Sequence, residues 1–559
     1  MPSSSRGLAL LVSVTLAATV NLRAQGATRP DSVRAAAVDA VFARYDRTDS
    51  PGCALGVYEN GRVAYARGYG MANLELMTAI TPQSVFDIGS TSKQTTAMSI
   101  MLLANQGKLS LGDDVRKYVP ELPKYEHTVT IRHLLTHTSG LRDYLTLFSL
   151  AGSDDADLTT SDDALRAIVR QKELNFQPGE QWLYSNSGFF LASVIVERVS
   201  GKSLPVFASE NIFTPLGMSH TRYNDDHRAV IPMRATGYDE RGDGTFATDM
   251  SNYEQTGDGA IQTSIEDMQK WDENFYTGQV GGRAALDAMQ TPMVLNNGRK
   301  QTYALGLGVG SYRGLKTVSH AGSWAGYRAE LLRFPDKHTS FAVLCNLATT
   351  NTPLLAQRVA DVWLEKSFTS APGFVAFTPA SAGASGGDAR AYVGLYRNPT
   401  TGELRRVSTR GDSVLFDDMN RAVPLQALGP SRFHVFRGGE IFFTDVTGGR
   451  RFLSAVDAAG DTTRFERVAE ATPAPKELAQ YAGSWYSPEL DATYTLRVAS
   501  GKLILERRRS APVTLQPTYA DAFAGDGLLL RFTRQGGAPK ELLLDAGRIR
   551  NVRFMRAAP

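Results

Sequence analysis

Phe86-Asp87-Ile88-Gly89-Ser90-Thr91-Ser92-Lys93 places a serine and a lysine three residues apart at the predicted start of a helix. Residues at positions i and i+3 of a helix lie on one face, with Cβ atoms about 5–6 Å apart. A lysine at this spacing can act as base to the serine hydroxyl, provided that burial or nearby positive charge lowers the pKa of the amine. Ser90 is therefore a candidate nucleophile, and Lys93 is its candidate base.

The segment that follows, residues 94–106, predicts the helix itself, because Ala97, Met101 and Ala104 recur at helical spacing and Gly107 provides a stop. Ser90 would then lie at a helix N-terminus, where free N–H groups and the positive end of the dipole favour a developing oxyanion. A serine and a lysine at this spacing also occur by chance in a chain this long, so other motifs decide what the pair means.

A second motif, Tyr184-Ser185-Asn186, lies in a stretch that is predicted to be irregular. The phenol of Tyr184 could shuttle a proton between nucleophile and leaving group if nearby cations lower its pKa. The amide of Asn186 could hold Lys93 and a substrate carbonyl.

The third motif is the His-Ala-Gly-Ser-Trp-Ala-Gly-Tyr segment at 320–327, which follows strand-like sequence. Gly322 is expected to let a substrate backbone approach closely, and the N–H of Ser323 is a candidate oxyanion donor beside that of Ser90. Trp324 and Tyr327 either line a substrate cleft or pack in the core, and the sequence leaves both interpretations open.

The order Ser-x-x-Lys, Tyr-x-Asn, His-x-Gly resembles that of the penicillin-recognising serine hydrolases, and most of all their class C β-lactamase-related branch. That branch includes D,D-carboxypeptidases, D-aminopeptidases and esterases. The resemblance covers roughly residues 31–366. It implies that Ser90 is the acylated nucleophile and that Lys93 is its base or proton relay. Tyr184 would donate a proton to the leaving group. Asn186 would supply an orienting amide, and His320 an assisting imidazole.

The chain departs from the β-lactamases at the third motif. They usually carry Lys-Thr-Gly there, whereas this chain has His320 and Ala321 and so lacks a permanent charge and a hydroxyl. We therefore expect a serine acyl hydrolase acting on peptides or amides that contain D-amino acids. The alternatives are an esterase or β-lactamase of the same fold, and a penicillin-binding sensor or cell-wall-binding protein with little turnover.

The resemblance implies an α+β serine β-lactamase/penicillin-binding-protein fold, with an antiparallel sheet flanked by helices and a helical subdomain. The residue pattern agrees, since strands at both ends enclose a helical middle. It predicts a helix over 31–46, a hairpin around Asn60-Gly61, strands over 306–347, and a closing helix to about residue 366. Thr352 is the expected N-cap of that helix, with Pro353 at its first position.

The C-terminal part of the chain contains an internal repeat. Tyr392-Val-Gly394 recurs as Tyr481-Ala-Gly483 at an offset of 89 residues, and Arg464-Phe recurs as Arg553-Phe at the same offset. Short strands with Gly-rich turns predict two small all-β, barrel-like modules. The predicted boundaries are 1–27 (signal peptide), 28–368 (hydrolase domain), 369–388 (linker), 389–468 (first module), 469–477 (linker) and 478–559 (second module).

Composition limits the range of partners. The formal net charge is +3 over 559 residues, which gives no case for nucleic-acid binding. We expect a small-molecule or peptide substrate, with cell-wall fragments among the candidates, and no metal or organic cofactor. His133 and His137 lie four residues apart but lack an evident third ligand, so we interpret them as capping or hydrogen-bonded loop histidines. The oligomeric state stays open.

The N-terminal residues resemble an export signal, with Arg6 before an apolar stretch at 7–20 that is too short to span a bilayer. We therefore expect a periplasmic or secreted protein with no stable membrane span after removal of the signal. The chain has two cysteines, Cys53 and Cys345, both in strand-like sequence. A bridge is allowed in an exported protein, but two buried free thiols are the preferred interpretation.

Overall fold

The computed structural model describes residues 32–154, 156–370, 389–411, 413–418, 421–435, 439–446, 449–456 and 462–557. The predicted signal peptide (1–27) lies outside these residues, as does most of the predicted linker at 369–388. The described chain contains a mixed α/β region at 32–370, called the first region, and two β modules after it.

Thirteen strands belong to the first region. They are β1 (Cys53–Glu59), β2 (Arg62–Tyr69), β3 (Met71–Asn73), β4 (Thr78–Ala79), β5 (Phe86–Asp87), β6 (Arg222–Tyr223), β7 (Tyr238–Glu240), β8 (Phe246–Thr248), β9 (Ile261–Thr263), β10 (Gly308–Tyr312), β11 (Leu315–Trp324), β12 (Tyr327–Phe334) and β13 (Thr339–Cys345).

The helices of the first region are α1 (Ser32–Phe42), α2 (Lys93–Asn105), α3 (Ile131–Leu135), α4 (Tyr144–Ala151), α5 (Ser161–Val169), α6 (Asn186–Ser200), α7 (Leu204–Ala208), α8 (Thr214–Leu216), α9 (Ile265–Thr277), α10 (Gly282–Met289) and α11 (Thr352–Trp363). Among the described residues, no helix combines the length and the apolar character that crossing a bilayer would need.

A six-stranded antiparallel sheet forms the centre of the first region, in the order β10-β11-β12-β13-β1-β2. The predicted hairpin is confirmed: Asn60 and Gly61 join β1 to β2 with φ of 50° and 73°, as a type I′ turn requires. Helices α1 and α11 pack together on one face, and the helical part of the region covers the other. The antiparallel sheet with a helical subdomain therefore agrees with the predicted fold class.

Two predicted helix ends differ from the structure. The first helix ends at Phe42, short of the predicted position 46. The N-cap of α11 is Asn351, whose side chain accepts from the Leu354 N–H (3.1 Å), so Thr352 is the first helical residue rather than the cap. Asparagine caps a helix somewhat better than threonine, which accounts for the shift by one residue.

The expectation of two buried free thiols is wrong, because Cys53 and Cys345 form a disulfide. The sheet explains it: β1 and β13 pair antiparallel, with Cys53 directly opposite Cys345 and their Cα atoms 4.0 Å apart. The bridge therefore joins neighbouring strands that are 292 residues apart in the chain. A single sequence contains no signal for such a register.

Among the described residues after the first region are seventeen strands, in two β modules separated by one short α-helix. The first β module consists of β14 (Gly394–Arg397), β15 (Leu404–Arg410), β16 (Ser413–Asp418), β17 (Arg421–Pro424), β18 (Gln426–Ala427), β19 (Arg432–Val435), β20 (Gly439–Val446), β21 (Arg450–Val456) and β22 (Thr462–Val468). After α12 (Pro475–Leu478), the second β module consists of β23 (Gly483–Ser487), β24 (Ala492–Ala499), β25 (Lys502–Glu506), β26 (Val513–Pro517), β27 (Ala522–Gly525), β28 (Leu528–Gln535), β29 (Ala538–Ala546) and β30 (Ile549–Arg556).

The second module is a closed barrel, and the first is a nine-stranded sheet whose edge strands, β17 and β18, are neighbours in the chain. Each module contains the same strand contact, at positions that are 89 residues apart in the chain. Tyr396 pairs with Arg467 where β14 meets β22, and Trp485 pairs with Arg556 where β23 meets β30. In each module the aromatic side chain also donates to the carbonyl four residues earlier.

Candidate active site

The Ser90 hydroxyl and the Lys93 amine meet at the start of α2. A 3-10 turn over Gly89–Ser92 carries the serine, and Lys93 is the first residue of the α-helix. Ser90 therefore lies just before the helix rather than in its first turn. Lys93 Nζ lies 3.0 Å from Ser90 Oγ, and it also donates to Asn186 Oδ1 (2.9 Å) and to the carbonyl of Asp258. The three contacts fix the amine beside the hydroxyl.

Burial makes this amine a candidate base. The Lys93 side chain is fully buried, and this burial lowers the pKa of the amine well below its ordinary value. The carboxylate of Asp258 opposes the decrease, while the positive charge of Arg548 adds to it. The net effect enlarges the fraction of neutral amine, which is the form that can accept a proton.

The Tyr184 phenol lies against the same pair. Lys93 Nζ is 5.0 Å from the centre of its ring, and the phenol is close enough to Ser90 for the serine to act on its pKa. Burial raises the pKa of Tyr184 above its ordinary value, and the Ser90 hydroxyl and the charge of Arg548 do not offset that effect. The condition that nearby cations lower this pKa is therefore not met. A neutral phenol can still relay a proton by donating one while it accepts another.

The second motif is held by Asp143, which the sequence analysis missed. Asn186 is the first residue of α6, not part of an irregular stretch, and its N–H donates to Asp143 Oδ2 (2.7 Å). The same carboxylate caps α4 by accepting from the Thr146 N–H (3.0 Å). The buried Asp143 side chain thus accepts a hydrogen bond at the start of α4 and another at the start of α6. It thereby fixes the position of Asn186, whose side-chain amide contacts Lys93.

The His320 imidazole is neutral and buried. Its pKa is lowered to about 3 by burial and by the nearby charge of Lys93. Nδ1 lies 2.6 Å from the carbonyl of Ala321 and so carries the proton, which leaves Nε2 to accept from the Tyr303 hydroxyl at 2.8 Å. Tyr303 was not predicted, since it belongs to no motif and comes near His320 only through the fold.

The third motif packs directly on the turn that carries Ser90. The Thr91 hydroxyl donates to the carbonyl of His320 (3.1 Å), and the Ser323 backbone lies against Gly89. A Cβ atom on Gly322 would be 1.9 Å from the carbonyl oxygen of Ile88. The contact of β11 with this turn therefore requires glycine at position 322. Gly322 also borders the cavity that Ser90 lines, and the approach of a substrate to it stays a prediction.

The two aromatic residues of the third motif differ. Trp324 lies on the wall of a cavity that Ser90 also lines, and it packs edge-on against Tyr253, with ring centres 4.9 Å apart. Tyr327 borders the same cavity but is 3% exposed, and its hydroxyl donates to the carbonyl of Ala235 at 2.5 Å. Trp324 is therefore accessible to a ligand, whereas Tyr327 mainly supports the wall.

A cavity of about 1000 Å³ opens at these residues. Its lining includes Ser90, Tyr184, Asn186, His320, Trp324 and Arg548. The volume suits a ligand of peptide or drug size. Arg548 belongs to the second β module, so a part of the chain outside the predicted hydrolase domain contributes to the wall.

The two histidines at 133 and 137 have local partners. His133 accepts from the Thr130 N–H (3.2 Å) in a capping box, and His137 accepts from the Ser185 N–H (3.2 Å). Both agree with the predicted capping or loop role. Within the described residues, one group has the spacing of a metal site: Asp226, His227 and Glu254, whose ligand atoms lie within 4.8 Å of one another. It is not among the residues lining the Ser90 cavity, and His227 and Glu254 already pair with each other at 2.7 Å.

Comparison with known proteins agrees with this geometry. Residues 38–362 match the Beta-lactamase family. Penicillin-binding protein 4* of Bacillus subtilis is 32% identical over 305 residues, which are 52% of this chain and 66% of that protein. A D-aminopeptidase of Cereibacter sphaeroides is 27% identical over 456 residues, which are 81% of this chain and 82% of that enzyme. The chain thus spans about two thirds of the length of the penicillin-binding protein.

The fold has solved relatives as well. The octameric penicillin-binding protein homologue from Pyrococcus abyssi is similar with a TM-score of 0.55 and 24% identity, covering 78% of this chain and 99% of that one. At this identity the likeness concerns the fold alone.

Proposed function

The chain belongs to the beta-lactamase family of penicillin-recognising serine hydrolases, and from that membership we propose that it hydrolyses amide or ester bonds through an acyl-enzyme on Ser90. The observation that supports the proposal most strongly is the 3.0 Å contact between a buried lysine amine and the serine hydroxyl. A burial-lowered pKa makes such an amine a base near neutral pH.

Acylation begins when the neutral amine of Lys93, assisted by the phenol of Tyr184, takes the proton from Ser90 Oγ. The oxygen attacks the substrate carbonyl carbon, a C–O bond forms, and the carbonyl oxygen becomes an oxyanion. The N–H groups of Ser90 and Ser323 are the proposed donors to that oxyanion. Tyr184 then protonates the leaving nitrogen or oxygen as its bond to the carbonyl carbon breaks, and it regains a proton from the Lys93 ammonium, which returns the amine to its neutral form.

Deacylation uses the same groups in the reverse roles. A water molecule gives its proton to the Lys93–Tyr184 pair and attacks the ester carbonyl of the acyl-enzyme. The bond to Ser90 Oγ breaks, the serine regains its proton, and the product acid leaves. Asn186 orients the substrate carbonyl and Lys93, while neutral His320 and the Tyr303 hydroxyl shape the site without adding charge.

The proposed substrates are peptides or amides that contain D-amino acids, with small esters next. The D-aminopeptidase relative, which matches over most of both chains, supports the first class. His320 and Ala321 at the third motif disfavour efficient β-lactam turnover, because neither supplies the cation or the hydroxyl of Lys-Thr-Gly.

We also propose that the protein is exported to the periplasm or secreted. The apolar N-terminal segment supports this location, as does the Cys53–Cys345 disulfide, since such bridges persist in oxidising compartments.

A substrate panel tests the proposed function. It contains p-nitroanilides of D- and L-amino acids, p-nitrophenyl esters and nitrocefin, assayed with wild type and Ser90→Ala. We expect Ser90-dependent hydrolysis with a preference for D-amino acid amides. Rapid nitrocefin turnover would identify a β-lactamase instead, and labelling by a fluorescent penicillin without turnover of any substrate would identify a sensor.

A further inference from the structure

Arg548 reaches the active-site cavity from the second β module. It lies at the tip of the hairpin formed by β29 and β30, where Ala546 pairs with Ile549 across a two-residue turn. Gly547, the first residue of this turn, has φ of 50°, a conformation that glycine adopts without strain. The hairpin thus carries a permanent cation to the wall of a cavity built by a distant part of the chain.

Backbone contacts fix the position of the hairpin tip. The Asn175 side-chain amide donates to the carbonyl of Arg548 (2.9 Å), and its oxygen accepts from the Arg550 N–H (2.7 Å). The Arg142 guanidinium donates to the carbonyls of Arg550 (3.0 Å) and Asn551 (2.9 Å). Because none of these bonds involves the Arg548 side chain, truncating that side chain should leave the hairpin in place.

The Arg548 guanidinium lies beside the reacting groups, where it forms an ion pair with the buried Asp143 carboxylate but donates no hydrogen bond to it. Its Cζ is 4.5 Å from the centre of the Tyr184 ring, and its side chain is 43% exposed. Nη1 is 3.6 Å from Asp143 Oδ2, beyond a normal hydrogen bond, and that oxygen already accepts from the Asn186 N–H. Within the described part of the chain, the guanidinium makes no hydrogen bond.

Two other arginines line the cavity, but each has a local role. Arg328 Nη1 donates to the carbonyls of Ala325 (2.7 Å) and Tyr327 (2.6 Å). The charge of Arg234 acts on the buried carboxyl of Asp87. Arg548 differs from both in its position, since its guanidinium lies over the Tyr184 ring beside the reacting groups.

We infer that Arg548 binds a carboxylate on the leaving-group side of the substrate, so that the second β module sets the specificity of the site. The inference rests on the proposed function, in which Tyr184, the ring under Arg548, protonates the leaving group. A guanidinium fork matches a carboxylate in geometry and charge. Arg548 would thus supply the cation that the third motif lacks, from another part of the fold. The substrate class is peptides whose leaving residue ends in a free carboxylate.

A matched pair of substrates tests the inference: a D-amino acyl dipeptide with a free C-terminal carboxylate, and the same dipeptide as its C-terminal amide. Because a charge-assisted hydrogen bond forms only with the carboxylate, we expect kcat/KM of wild type to be roughly 10- to 100-fold higher for the carboxylate form than for the amide form. Arg548→Gln should abolish this preference, because it should lower kcat/KM for the carboxylate form at least tenfold more than for the amide form. Arg548→Lys should retain part of the preference, because the charge remains but the fork is lost.

Arg553→Gln is the control, since it removes one positive charge from the same hairpin and a contact with Glu173 (2.8 Å) across the same interface. Its preference should equal that of wild type. A second readout is competition: the free leaving amino acid should inhibit hydrolysis of a neutral p-nitrophenyl ester by wild type at least tenfold better than Arg548→Gln.

Two results would overturn the inference. If wild type shows no preference for the carboxylate, or if Arg548→Gln slows both substrates equally, Arg548 only holds the module in place. If wild type hydrolyses neither substrate and Ser90 is not acylated, the proposed function fails, and the inference fails with it.

Discussion

Arg142 and Glu489 form a buried ion pair that joins the first region to the second β module, with Arg142 Nη1 2.7 Å from Glu489 Oε1. Their side chains are 0% and 4% exposed. Arg142 directly precedes Asp143, which holds Asn186 at the active site. The ion pair thus ties the position of the barrel to the second motif.

Breaking this pair should destabilise the protein strongly. Arg142→Ala leaves the Glu489 carboxylate buried without its cation, which costs about 3–5 kcal/mol in the free energy of unfolding. The matched control is Arg497→Ala, which breaks the exposed pair with Glu506 (2.6 Å) in the same barrel and should cost less than about 1 kcal/mol. Urea denaturation of the full chain measures both, and equal losses would refute a structural role for the buried pair.

The pH dependence of acylation should follow the lowered pKa of Lys93. The amine acts as a base only when neutral, so the rate should rise with pH up to that pKa and level off above it. The ascending limb should lie in the neutral range, well below the ordinary lysine pKa of about 10.4. His320, with a pKa of about 3, should not contribute a limb there.

The measurement is kcat/KM against pH with a neutral p-nitrophenyl ester, for wild type and for Lys93→Arg. The arginine variant cannot lose its proton and should lack both the limb and most of the activity. A limb that begins only near the ordinary lysine pKa would contradict a neutral lysine base.

The Cys53–Cys345 bridge should contribute to stability. It closes a loop of 292 residues, and removing a native disulfide typically costs about 2–5 kcal/mol. The double variant Cys53→Ala, Cys345→Ala should therefore unfold at a lower denaturant concentration than the oxidised wild type. Thiol titration in denaturant is the control: it should find no free thiol before reduction and two after it, whereas two thiols before reduction would contradict the bridge.

Glu330 should make stability depend on pH. Burial raises the pKa of this carboxyl from 4.5 to about 8, and the Ser319 hydrogen bond opposes the shift without cancelling it. Its folded pKa exceeds its unfolded pKa, so the folded state binds the extra proton between these values and loses stability as pH rises through them. Glu330→Gln, which keeps the shape but cannot ionise, should match wild type near pH 4.

Near pH 9 the same variant should be more stable than wild type by an amount on the order of a few kcal/mol. Thermal unfolding at both pH values measures the difference. If the difference in stability between Glu330→Gln and wild type is the same at both pH values, the Glu330 carboxyl ionises freely in the folded state.

The site residues that could be predicted from the sequence are those that lie in local motifs. Ser90 and Lys93 are three residues apart, and the spacing of Tyr184 and Asn186 is short, so the sequence could predict that these side chains act together. The structure brings them together with His320, and their catalytic roles stay predictions. The repeat with an offset of 89 likewise predicted two related β modules, because aromatic and arginine positions recur at fixed intervals.

The missed residues depend on contacts between distant parts of the chain. Tyr303, which bridges to Gly308 at the start of β10, meets His320 only when β10 pairs with β11. Arg548 enters the cavity only when the second module docks. Asp143 and Asp258 are single acidic residues without a surrounding pattern. The cysteine pairing was missed for the same reason, since it follows from the register of β1 against β13.

The central claim is that the Ser90 hydroxyl becomes covalently acylated. The most direct test is intact-protein mass spectrometry after brief incubation with an activated D-amino acyl ester or a penicillin, followed by peptide mapping. The account predicts one acyl group per chain, located on the peptide that contains Ser90 and absent from Ser90→Ala. An adduct of the same extent in Ser90→Ala, or one mapped to another residue, would contradict it.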